Sequence, residues 1–105
     1  MNISIQNSIT QLGAEFVGST NEAIIDAVAI DSRSLQNSAT TLFFALVGPN
    51  NDAHSYIKDV IEKGVQYFVV THIPEGCEGK ANFLIVNNTL VALQQFAAYY
   101  RSLFD

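Results

Sequence analysis

Two short polar segments carry the side chains that are best suited to bind a ligand. The first is Asp31-Ser32-Arg33-Ser34, which follows an apolar run ending at Ile30. Its two hydroxyls and the forked guanidinium of Arg33 suit a phosphate or diphosphate better than they suit an acid–base pair. Because ligands tend to bind in the loops at the strand ends of α/β sheets, this segment is a candidate binding site.

The second polar segment covers residues 48–54, between another apolar run and a helical pattern. Asn50 and Asn51 each offer both a donor and an acceptor, which the edge of a base or a sugar requires. Asp52 is placed to cap the helix, and His54 is expected to pack its ring in the first turn. A carboxylate at that helix start disfavours an anion there, so any phosphate is expected at the first segment instead.

Both interpretations of the first segment stay open from the sequence. The segment can bind a ligand through Ser32, Arg33 and Ser34, but Asp31-Ser32 can equally form an Asx or Ser turn that closes the strand. Arg33 can contact an anion, but it can equally pair with Asp31 or with another surface acid.

Several other kinds of site are excluded. The chain contains no G-x-x-x-x-G-K-[ST] and no G-x-G-x-x-G, so it has no recognisable ATP or dinucleotide cradle. Cys77 is the one cysteine, so no disulfide can form within the chain. Two acids beside it disfavour the thiolate that a nucleophile requires. His54 and His72 are too far apart in sequence to suggest a zinc site. We therefore expect no catalytic residues and no metal site.

The composition favours one acidic globular domain over residues 1–105. Of the 105 residues, 49% are hydrophobic and 14% are charged, which excludes a disordered tail. The net charge of −5 disfavours a nucleic-acid partner. No apolar run approaches the roughly 20 residues of a membrane span, and the first residues do not resemble a signal peptide. We expect a cytoplasmic protein.

The hydrophobic pattern predicts an α/β fold with a small mixed sheet flanked by helices. It predicts a short N-terminal helix containing Ile9, Leu12 and Phe16, which Asn7 or Ser8 would cap. Strands are predicted at residues 24–30, 41–47, 67–71 and 83–86, and a helix at 54–64 that ends at Gly64. A last helix starts at Asn88, with an apolar face made of Leu90, Leu93, Ala97, Tyr100 and Phe104.

Four segments stand in an order that resembles the N-terminal domain of the Mur ligases, the enzymes that extend the UDP-N-acetylmuramoyl peptide of cell-wall synthesis. The segments are IDSR at 30–33, TLFFALVG at 41–48, NDAHSYI at 51–57 and VNNTLVALQ at 86–94. Within the family, the branch that adds D-alanyl-D-alanine is the most similar, and the branch that adds the third peptide residue is the alternative. Ala53 stands where the family pattern has glycine, so a different loop is expected there.

The resemblance implies that this domain holds the UDP part of the substrate. The positions that match the family's UDP-binding segments are Ile30, Ser32, Arg33, Pro49, Asn50 and Asn51. For Arg33, a ligand contact and a structural role both remain open.

The resemblance also implies a larger ligase, of which this chain would be the excised N-terminal domain. ATP and magnesium would belong to a central domain, and a C-terminal domain would help to bind the incoming dipeptide. Pyridoxal phosphate would enter only if an alanine racemase is fused to the chain. The other alternative is a stand-alone α/β binding module without catalysis.

Overall fold

The computed structural model describes residues 2–33, 35 and 38–104. Within that part, the chain forms seven strands and three α-helices. The strands are β1 (Ile3–Ser4), β2 (Glu15–Val17), β3 (Ile24–Ile25), β4 (Ala27–Ala29), β5 (Thr41–Phe44), β6 (Tyr67–Val70) and β7 (Asn82–Ile85). The α-helices are α1 (Ile5–Leu12), α2 (Ile57–Glu62) and α3 (Thr89–Ser102), and short 3-10 helices cover Ser38–Thr40 and Ala53–Tyr56.

Five of the strands form one mixed sheet in the order β2-β7-β6-β5-β4. The neighbours from β4 to β7 all pair in parallel, and β2 pairs antiparallel with β7 at the edge. Strands β1 and β3 form a separate antiparallel pair. The predicted α/β class, with a partly parallel sheet and flanking helices, is therefore confirmed.

The central strands are buried on both faces, which explains their continuous apolar runs. On β5, Leu42 and Phe44 face a core shared with α1 and α3, whereas Phe43 faces a second core shared with α2. Successive side chains point to opposite faces of a strand, so one short run such as residues 41–44 supplies both cores. These two cores hold the carboxyl ends of the parallel strands in place.

The predicted strand at 24–30 is wrong in one respect, because the structure divides it between two sheets. Ile24–Ile25 pairs with β1, and Ala27–Ala29 pairs with β5. Asp26 lies at the division, where its backbone N–H donates to the Thr40 carbonyl and its carboxylate accepts a 2.6 Å hydrogen bond from the Thr40 hydroxyl. A polar residue bound in this way allows the chain to change partners without leaving the backbone unpaired.

The first helix also begins earlier than predicted. Ser4, not Asn7 or Ser8, is its N-cap, and its hydroxyl accepts a 3.0 Å hydrogen bond from the Asn7 backbone N–H. Gly13 ends the helix with φ at +60°. Phe16 therefore lies beyond the helix, in edge strand β2.

The last helix starts at its predicted cap, Asn88, but buries a different face. The residues of α3 that are fully covered include Ala92 and Phe96, and the Phe96 ring meets Phe44 edge-on at 5.6 Å. Leu90 is 51% exposed and Phe104 70% exposed, so these two predicted core positions are wrong. The other three residues of the predicted face, Leu93, Ala97 and Tyr100, are partly buried.

Candidate functional site

The two polar segments meet at the carboxyl edge of the sheet, because β4 and β5 are parallel neighbours that end side by side. Between them lies a pocket of about 280 Å³, which we call the β4–β5 pocket. It is lined by Ile30, Asp31, Ser32, Arg33, Phe43, Asn51, Ala53 and Tyr56. Four of the six residues singled out in the sequence therefore line one pocket.

The first segment is a turn that its own side chains close. The Arg33 backbone N–H donates a 2.9 Å hydrogen bond to Asp31 Oδ1, which confirms the Asx turn. The Arg33 guanidinium also lies 3.8 Å from Asp31 Oδ2, but its side chain is 88% exposed, so this ion pair holds it weakly. Lys63 Nζ donates to the Ser32 carbonyl and fixes the turn to the end of α2. Ser34 lies outside the described residues.

The second segment is a tight loop. Val47 and Asp52 form an antiparallel bridge, and within it the Gly48 N–H donates a 2.7 Å hydrogen bond to the Asn51 carbonyl. Pro49 and Asn50 lie at the exposed tip and do not line the pocket. Of the three site residues predicted in this loop, Asn51 therefore lines the pocket, whereas Pro49 and Asn50 lie outside it.

Asp52 and His54 join this loop to the next strand end. Asp52 Oδ1 accepts hydrogen bonds from the His54 backbone N–H at 2.9 Å and from Nδ1 at 2.6 Å. The Thr71 backbone N–H donates to His54 Nε2 at 3.0 Å. Because Nε2 accepts, these partners assign the neutral imidazole with its proton on Nδ1. The predicted cap and the predicted packing of His54, which is 4% exposed, are both confirmed.

The helix after this cap is divided into two parts. It starts as a 3-10 turn over Ala53–Tyr56 and becomes α-helical at Ile57. No described residue other than glycine has a positive φ, so Ala53 adopts no left-handed conformation and the loop carries no strain there. Gly64 follows the helix with φ at +100°, as predicted for its end.

The hydrogen bond from the His54 backbone N–H holds the pKa of the Asp52 carboxyl below its ordinary value of 3.8. Partial burial opposes this effect, and the His54 side chain adds to it. The folded state therefore favours the charged carboxylate. Its contribution to stability is present above about pH 3.8 and is lost as the pH falls through the lower folded-state pKa.

We expect Asp52→Asn to make the protein less stable than wild type near neutral pH, but not below the folded-state pKa. Asparagine keeps an accepting oxygen and removes only the charge, so the difference should be about 0.2–1 kcal/mol for this half-exposed group. Urea unfolding at a series of pH values measures it. Glu75→Gln, at an exposed position outside the helices, is the control. A difference for Asp52→Asn that is constant down to acid pH would contradict the assigned role.

Tyr56 and Phe43 line the β4–β5 pocket but were not identified from the sequence as site residues. The Tyr56 hydroxyl donates a 3.0 Å hydrogen bond to Asn51 Oδ1, and the ring is 45% exposed. Phe43 is 1% exposed and forms part of the buried floor. Tyr56 could have been identified from its spacing, because it follows the predicted cap Asp52 by four residues. One helical turn brings such a residue back beside the loop that contains Asn51.

Larger hollows are also present, and one of about 460 Å³ is lined by Lys80 and residues around Asn82, with no carboxylate. One of about 440 Å³ beside α3 includes the Glu15 carboxylate, and one of about 490 Å³ includes the Asp52 carboxylate together with Leu90. The β4–β5 pocket also contains a carboxylate, that of Asp31, but the Arg33 guanidinium lies 3.8 Å from it and offsets its charge. Of these pockets, it is the one that residues of both polar segments line. Its apolar floor and convergent polar groups are also typical of small-molecule sites.

Among residues 2–33, 35 and 38–104, no group of three or more His, Cys, Asp or Glu side chains is placed to hold a metal ion. In that same part of the chain, no helix is long and apolar enough to cross a membrane.

No family model matches the chain. It is 37% identical over 90 residues to the UDP-N-acetylmuramoyl-tripeptide–D-alanyl-D-alanine ligase of Rickettsia prowazekii, a match that covers 86% of this chain and 18% of that protein. The enzyme of the same name from Bacillus subtilis is 35% identical over 80 residues, covering 75% and 17%. The UDP-N-acetylmuramoyl-L-alanyl-D-glutamate–2,6-diaminopimelate ligase of Parabacteroides distasonis is 33% identical over 69 residues, covering 66% and 14%.

Among solved structures, MurF from Acinetobacter baumannii superposes with a TM-score of 0.80 over 97% of this chain and 22% of that one. The sequence identity is 24%, so this likeness shows a shared fold. The chain thus spans less than a quarter of the proteins that it resembles.

Proposed function

Since this chain is an N-terminal Mur ligase domain, most like that of the MurF enzymes, we propose that its β4–β5 pocket binds the uridine diphosphate end of a UDP-N-acetylmuramoyl peptide. One observation carries the proposal: two polar segments on either side of strand β5 both contribute residues to a single pocket at the strand ends. A nucleotide needs an apolar slot for the base and polar groups for the sugar and the phosphates, and this lining offers both.

Several side chains of the lining fit particular parts of the ligand. Phe43 and Ala53 form a buried apolar floor on which a base can lie, and Tyr56 and Ile30 are half exposed beside it. The Ser32 hydroxyl has no hydrogen-bond partner among the described residues and is available to the ligand. The exposed guanidinium of Arg33 is free to turn toward a diphosphate, because its ion pair with Asp31 is long. Pro49 and Asn50, at the loop tip, would cover the outer side of the uridine.

The whole ligase that we propose joins D-alanyl-D-alanine to a UDP-N-acetylmuramoyl tripeptide in the cytoplasm. ATP and magnesium, bound by a central domain, would activate the peptide carboxylate as an acyl phosphate, and the dipeptide amine would then attack it. This domain would contribute binding energy remote from the reacting atoms, and that energy positions the carboxylate. Its partners would be the muramoyl substrate and the other domains of the ligase. Pyridoxal phosphate would be required only if a racemase is fused.

A ligase that adds the third peptide residue is the second candidate, because diaminopimelate-adding enzymes are also among the relatives. An activity assay on a ligase containing this domain separates the two. We expect it to join D-alanyl-D-alanine to the tripeptide substrate and not diaminopimelate or lysine to the dipeptide substrate. The opposite preference would assign the chain to the second candidate. Absence of both ligase activities would favour a stand-alone binding module.

A further inference from the structure

We propose that Lys63 is a positioning residue for the diphosphate end of the ligand, because it fixes the turn at residues 31–33 that faces the β4–β5 pocket. The inference rests on the proposed binding of uridine diphosphate and adds a residue that acts through this turn. Lys63 lies outside the pocket lining, whereas Ser32 and Arg33 belong to it. Its effect on the ligand would therefore pass through those two residues.

The first step is the contact between Lys63 and the turn. Lys63 Nζ donates a 3.1 Å hydrogen bond to the carbonyl oxygen of Ser32, 31 residues earlier in the chain. Within the turn, the Arg33 backbone N–H and guanidinium both reach Asp31, and such local bonds close the turn without orienting it against the rest of the domain. The Lys63 bond supplies that orientation, because it joins the turn to the end of α2.

The second step is that the backbone of this anchor is itself fixed. The Lys63 backbone N–H donates to the carbonyls of Asp59 and Val60 at the end of α2. Ile57 and Val60 of that helix are fully buried in the core that also contains Phe43, the floor of the pocket. The helix end and the pocket floor therefore belong to one packed unit, and a turn that is bound to Lys63 keeps its distance from the floor.

The third step is the charge of the turn and its anchor. Asp31 and Arg33 carry opposite charges and offset each other, whereas Lys63 forms no ion pair within the described ranges 2–33, 35 and 38–104. The bond to the neutral Ser32 carbonyl uses one of the ammonium donors and leaves the charge uncompensated. The turn with its anchor is therefore net positive on a chain whose net charge is −5, and it attracts a diphosphate.

Titrations of this chain with UDP and with uridine, followed by NMR chemical shifts, test the inference. Lys63→Met keeps the apolar stem but removes the donor and the charge, so we expect the dissociation constant for UDP to rise about three- to tenfold. The constant for uridine should change less than about twofold, because uridine has no phosphate for the turn to contact. Lys63→Arg keeps a donor and the charge, and it should restore most of the affinity for UDP.

Lys58→Met is the matched control, because Lys58 is an exposed lysine of the same helix and makes no hydrogen bond or ion pair to a described residue. It removes the same charge and should change the affinity for UDP less than about twofold. Without ligand, Lys63→Met should shift the backbone amide signals of Ser32 and Arg33, whereas Lys58→Met should not. Equal losses of affinity in the two variants would reduce the effect to net charge and would contradict the inference.

The outcomes separate the inference from the proposed function. If wild type binds UDP and Lys63→Met binds it as tightly, positioning by Lys63 is wrong and UDP binding stands. An equal loss for UDP and uridine would mean that the whole pocket is disturbed, and it would also contradict the inference. If wild type binds neither compound, the proposed function itself fails, and the inference fails with it. A loss for UDP alone, reversed in Lys63→Arg and absent in Lys58→Met, would establish it.

Discussion

Replacing His54 by alanine is expected to lower the free energy of unfolding by about 2–4 kcal/mol. The ring is 4% exposed, and its loss leaves a cavity and removes the acceptor of the Thr71 backbone N–H. It also removes the donor to Asp52 that links two strand ends. A domain of this size is stable by about 5–15 kcal/mol, so the loss is a large share of the total. Urea unfolding monitored by circular dichroism measures it.

His72→Ala is the matched control for this prediction. The His72 ring stacks on His54 with 4.4 Å between ring centroids, but its residue is exposed. Its removal should cost less than about 1 kcal/mol. Equal losses for the two variants would show that stacking, and not the hydrogen-bonded link, is what His54 contributes.

Ser32→Ala in a ligase that contains this domain is expected to raise the KM for the UDP-N-acetylmuramoyl peptide about 10- to 100-fold. The expected loss is one hydrogen bond to a charged group, worth about 1.5–3 kcal/mol. The KM for ATP should stay as in wild type, because ATP would bind in another domain. Steady-state kinetics with each substrate varied in turn gives both values.

Ser19→Ala is the control for Ser32→Ala, since Ser19 lies in a different pocket. Ser19 donates to Asn82 through its backbone N–H, and the substitution keeps that hydrogen bond. It should change neither KM. An equal rise of both KM values in Ser32→Ala would argue for a disturbed domain instead of a lost contact with the UDP end.

The sequence predicted the elements in which local signals and burial agree. Residues 41–44 and 67–70 are continuous apolar runs because both faces of those strands are covered. Asp52 and Gly64 mark the two ends of a helical segment by chemistry that needs no tertiary context. The polar segments at the strand ends were found for the same reason, since polar groups interrupt an otherwise apolar pattern there.

What the sequence missed depends on partners that are distant along the chain. Strands β1 and β2 have only two and three residues, too few for a periodic signal, and each exists because it pairs with a strand elsewhere. The division at Asp26 is visible only once Thr40 lies beside it. The hydrogen bond between Tyr56 and Asn51 likewise requires a closed loop and a 3-10 turn, neither of which has a signature in residue spacing.

The measurement that tests the central claim most directly is a chemical-shift titration of this chain with UDP. We expect dissociation constants on the order of 0.1 mM to several mM, or about 3–5 kcal/mol, because the pocket is open and the chain is acidic. The shifts should cluster at residues 30–33, at 49–51 and at Tyr56, and ATP at the same concentration should cause none there. Shifts that cluster elsewhere, or no response to several millimolar UDP while ATP perturbs the domain, would contradict the account.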